Sequence, residues 1–103
     1  MRNYGMSMMD RLLNSPDFEK MSNNKDIPGL IRLLSSRHHE IHAAAISALG
    51  RIGPDATPFL IAALKRKNRL LRLGVIGALA EIQDPRSLAA LIERTRDESN
   101  EIR

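Results

Sequence analysis

The chain has 103 residues, of which 43% are hydrophobic, 3% aromatic and 27% charged, with no cysteine and a formal net charge of +4. A chain of this size makes one small domain with a modest core. No run in it approaches the roughly 18 apolar residues that a membrane span needs, and the Met-rich start lacks the continuous apolar stretch of a secretory signal. The missing thiols exclude a disulfide framework and a thiolate metal site and fit a reducing compartment. The expected setting is therefore a soluble, unprocessed, cytoplasmic protein, and Leu, Ile and Ala dominate its apolar content, which favours helix packed on helix.

In chain order, residues 1–15 read as an N-terminal segment or capping helix, with Met6, Met9 and Leu13 at helical spacing. Ser15-Pro16 reads as the N-cap and first turn of a short helix that contains Phe18 and Met21 and stops near Asn23-Asn24. Asp26 starts its partner, with the apolar stripe Ile27/Leu30/Ile31/Leu34. A longer helix follows, its stripe Ile41, Ala44, Ala45, Ala48, Leu49 and Ile52 spaced by three and four, and the Gly53-Pro54-Asp55 turn leads to Thr57/Leu60/Ile61/Leu64. The same pair recurs as Leu71, Gly74, Val75, Ala78, Leu79 and Ile82, then Asp84-Pro85 and Leu88/Leu91/Ile92/Thr95.

The second pair lies over the first at an offset of thirty residues, with one extra residue in the later loop. Self-similarity at this period marks a solenoid of stacked helix pairs. The expected organisation is helix pairs at about 16–36, 40–67 and 70–96, a repeat region of 16–103 in all. Asp97 to Arg103 reads as the linker and opening of a further repeat, which suggests a fragment of a longer array or a short form whose last face a partner covers.

Ile41-His42, Ala45, Ala48-Leu49-Gly50, Ile52-Gly53, Pro58, Leu60-Ile61 and Ala63-Leu64, with a second copy in Leu71-Arg72, Ala78-Leu79 and Asp84-Pro85-Arg86, resemble the HEAT-like repeat first described in phycobilisome lyases. The resemblance covers residues 17–103 and implies an all-α, right-handed HEAT-like α-solenoid of antiparallel helix pairs. His42 stands where the pattern has Arg, and Gln83 where it commonly has Gly. For function the resemblance is broad, since such repeats serve in lyases, hydroxylases, DNA-repair proteins and scaffolds.

His38-His39-Glu40-Ile41-His42 tests a metal reading, because His38 and His42 at i and i+4 share a helix face. The order is not His-Glu-x-x-His and no third ligand is in view. Deoxyhypusine hydroxylase, a HEAT-repeat enzyme, resembles this chain in repeat only, since the positions just after the Val-Arg pair, where its His-Glu ligands fall, hold Ala43-Ala44 and Leu73-Gly74. No catalytic constellation, metal or cofactor is expected.

A surface for partners is legible instead. In the HEAT-like arrangement the second helices line the concave side, with an outward row of Gly29, Arg32 and Ser36, then Phe59, Ala62 and Arg66, then Ala90, Glu93 and Asp97. Phe59 is the expected anchor for a protein partner, with Arg32, Arg66 and Glu93 supplying charge. The alternative is nucleic-acid binding through Lys65, Arg66, Lys67, Arg69 and Arg72, against which stands the lack of interleaved aromatics and the plainer reading of a solvated turn. A further alternative, from the resemblance, is an accessory subunit of a phycobilin-type lyase. The charge-poor row Ala43, Ile46, Gly50, Leu73, Ile76 and Ala80 is read either as a patch for another subunit, hence self-association, or as the flank of a broad core stripe.

Overall fold

A computed structural model describes residues 16–102, without the side chains of 95 and 97–102. The expected capping helix, and Ser15 and the side chain of Asp97, lie outside the described residues. Among the described residues six α-helices follow one another: α1 (Phe18–Asn23), α2 (Ile27–Leu33), α3 (His39–Ile52), α4 (Thr57–Ala63), α5 (Arg69–Ile82) and α6 (Pro85–Ile102), with a 3-10 turn at Gly53–Ala56 before α4. They stack in two layers, α1–α3–α5 and α2–α4–α6, and each second helix also packs on the first helix of the next pair. This is the all-α solenoid that the period implies.

The starts are set by side chains that take up free backbone donors. Asp26 accepts from the Gly29 N–H at 3.1 Å and Asn68 from the Leu71 N–H at 3.0 Å. Asp84 accepts from the Arg86 N–H at 3.0 Å. For α1 the cap is Asp17, bonded to the Lys20 N–H at 3.0 Å, and not Ser15 as expected.

The core is Ile27, Leu30, Ile31 and Leu34 of the first pair, Ala45, Ala48, Leu49, Ala56, Leu60, Ala63 and Leu64 of the second, and Leu71, Val75, Ala78 and Leu79 of the third. Small residues let the long helices approach. A Cβ on Gly74 would come within 2.8 Å of the Leu34 side chain, and one on Gly77 would meet Ile46 at 3.3 Å.

Several stripe positions are less buried than expected. Ile61 is half-buried, and Leu91 packs on the core only in part. Leu88 and Ile92 remain 64% and 49% exposed, because the main neighbour of α6 is α4 and they turn away from the core. Ala90, expected outward, packs against the core.

The two departures from the repeat pattern have local explanations. His42 donates through Nδ1 to the Leu34 carbonyl at 2.8 Å, and Arg72, its counterpart one repeat on, donates to the Arg66 carbonyl at 2.8 Å. Both satisfy carbonyls just past the end of a second helix, so His does there what Arg does. Gly53 sits at φ 84°, ψ −150°, a region essentially reserved for glycine, whereas Gln83 ends α5 in the left-handed conformation at φ 57°, ψ 37°. A Cβ on Gly53 would touch nothing within 4 Å, so the cost of Gly53→Ala is purely backbone strain, about 1–3 kcal/mol. Gln83→Gly should instead stabilise by about 1 kcal/mol. Urea unfolding of both variants checks the opposite signs.

Candidate concave interface

The second helices α2 and α4 are short and begin with proline in their first turn. They end in different ways on their inner sides: α2 presents Ile31 and Arg32, while α4 presents Phe59, Ala62 and Ala63. Because Ala62 and Ala63 stop at Cβ, the two helices leave a groove of about 270 Å³, lined by Pro28, Ile31, Arg32, Phe59, Ala62, Ala63 and Arg66. Ile31 and Ala63 form its buried part, and Phe59, 50% exposed, is its prominent aromatic.

Three of the four residues expected to bind a partner, Arg32, Phe59 and Arg66, thus line one groove. Glu93 does not. It lies on α6 outside the lining and pairs with Arg96 at 3.4 Å. Pro28, Ile31 and Ala63 line the groove without having been singled out for it. The signal was present in the sequence as two consecutive alanines, which lower one wall of the groove over the buried Ile31.

Of the basic segment, Lys65, Arg66, Lys67 and Arg69 are exposed, while Arg72 is half-buried and tied to the Arg66 carbonyl. The segment therefore presents four open cations rather than five. The charge-poor row splits as well: Ile46 packs over Gly77 and Gly50 lies under Glu81, inside the α3–α5 contact, whereas Leu73 and Ile76 stay 52% and 41% exposed. Of the histidines, His42 is turned to the Leu34 carbonyl, and among the described residues no three His, Cys, Asp or Glu side chains gather as a metal site would require. No described helix is long and apolar enough to cross a membrane.

The turns within the successive helix pairs form a charge ladder from one repeat to the next. Lys25 pairs with Asp55 at 2.8 Å, and Arg86 grips Asp84 at 2.6 Å while donating to the Pro54 carbonyl at 3.1 Å. The hydrogen bond from Lys25, reinforced by its charge, lowers the Asp55 pKa. The guanidinium hydrogen bonds of Arg86, and then its backbone N–H, hold Asp84 at about 2 instead of 3.8. A carboxylate with a depressed folded pKa contributes stability that is present above 3.8 and is lost as the pH falls through about 2. Asp84→Asn keeps a good helix cap but removes the titration. In acid unfolding followed by circular dichroism, this variant should therefore lose less stability than the parent over that window; equal losses would remove Asp84 from the account.

The profile of the HEAT repeats family matches residues 27–103. The bilin biosynthesis protein RpcF of Synechococcus sp. (strain WH8020) is 42% identical to the chain over 65 residues, which is 63% of this chain and 31% of that protein. The chain thus spans about a third of the length of the curated relative it matches. No solved structure matches it.

Proposed function

Because the chain belongs to the HEAT-repeat family, we propose that it is a non-catalytic interaction or assembly module that holds a protein partner in the groove between α2 and α4. The observation that carries this reading is the half-exposed Phe59 beside an apolar floor, with Arg32 and Arg66 at the margins. An aromatic held at a groove of this kind is the usual anchor of a protein interface. The module needs no cofactor for this role. Nucleic-acid binding through Lys65 to Arg72 is less well supported, since Arg72 is committed to a backbone carbonyl and the groove holds one aromatic.

The similarity to a bilin biosynthesis protein favours a narrower version, in which the module is an accessory subunit of a phycobilin-type lyase. Affinity capture with the parent chain and with Phe59→Ala as paired baits tests the general reading. Proteins retained by the parent and lost from the variant support it, and a phycobiliprotein or lyase component among them supports the narrower one. Identical profiles from the two baits contradict it.

A further inference from the structure

We infer that the groove takes a polypeptide segment that presents a bulky apolar side chain flanked by carboxylates. This rests on the binding role proposed above and adds the chemistry of the partner.

Size comes first. At about 270 Å³ the groove falls below the roughly 300–1,000 Å³ of sites that enclose a whole small molecule. It accommodates one or two side chains of something larger that remains mostly outside. Pro28, Ile31, Ala62 and Ala63 offer no side-chain hydrogen bond, so the inserted group is apolar, and the exposed ring of Phe59 gives it a face to pack on.

Charge decides the flanks. No carboxylate is among the lining residues, and among the described residues none pairs with Arg32 or Arg66. The contrast with the loop edge is direct, since Lys25 and Arg86 there already have Asp55 and Asp84. Two guanidinium forks with no carboxylate partner among the described residues, beside an apolar slot, select planar anions, and carboxylates fit them in pairs. Phosphates share the charge, but a nucleic-acid strand is ordinarily held by successive aromatics along a basic track, and this lining has Phe59 alone.

The test is a selection of phage-displayed random peptides on the parent chain, with counter-selection on Phe59→Ala. Synthetic copies of the winners are then titrated by fluorescence anisotropy, alongside single-stranded oligothymidylate. Enriched sequences should place Asp or Glu on both sides of a Leu, Met or aromatic residue. Replacing those acids by their amides, or using Arg32→Gln with Arg66→Gln, should weaken binding by about tenfold or more, with circular dichroism unchanged. Winners that depend on Phe59 but carry no acids, or that bind equally well as amides, overturn the inference and leave the binding role standing. No Phe59-dependent enrichment overturns both, as does oligothymidylate binding more tightly than any peptide.

Discussion

Leu79→Ala should destabilise the chain by about 2–5 kcal/mol, through lost burial and the cavity left behind. Leu79 is 1% exposed in α5, next in the core to Val75 and Ala78 on the same helix and continuous with the apolar residues of α3 and α4. Domains of this kind hold only about 0.05–0.15 kcal/mol per residue, so the loss is a large part of the total. Leu73 is the control. Six residues earlier on the same helix but 52% exposed, its replacement by Ala should cost no more than about 0.5 kcal/mol. In urea unfolding the Leu79 variant should show a much lower midpoint with an unchanged slope, and the Leu73 variant neither. Equal costs at the two positions would mean that α5 faces the core in another register.

Phe59→Ala should weaken the binding of a protein partner by roughly 2 kcal/mol or more, about thirtyfold, while leaving the fold intact. The two effects separate because Phe59 is half-exposed and outside the core, so truncating it removes contact area for a partner rather than for the stack. Charge reversal of Lys65, Lys67 and Arg69, which lie outside the groove lining, should do much less to the affinity, since exposed rim charges chiefly alter association rate and salt dependence.

Much of the fold is readable from spacing alone, because α3 and α5 repeat one stripe whose positions are set by helical geometry. The stripe of Ala45, Ala48 and Leu49 recurs in Val75, Ala78 and Leu79, and all six are buried. What spacing does not convey is which side of a stripe meets a neighbour. Leu88 and Ile92 have the same pattern as Thr57 and Ile61, yet they stand exposed, because burial depends on the element packed beside them. Backbone conformation is hidden for a similar reason: Gln83 takes a left-handed turn that its side chain does not favour, imposed by the chain reversal into α6. In the groove, Phe59, Arg32 and Arg66 were legible as outward positions, but Glu93 followed the same arithmetic onto α6, where the groove does not extend. Pro28 and Ile31 join it only because two alanines on a different helix leave room.

The central claim, that the α2–α4 groove grips a protein, is tested most directly by calorimetric titration of a partner captured by the parent chain against Phe59→Ala and a turn charge-reversed at Lys65, Lys67 and Arg69, with Arg66 kept. Each titration is run at low and at high salt. The account predicts that Phe59→Ala costs the larger share of affinity at both, with a shallow salt dependence throughout. A steep salt dependence, abolished by reversing the turn and untouched by Phe59→Ala, would contradict it and assign the surface to a nucleic acid.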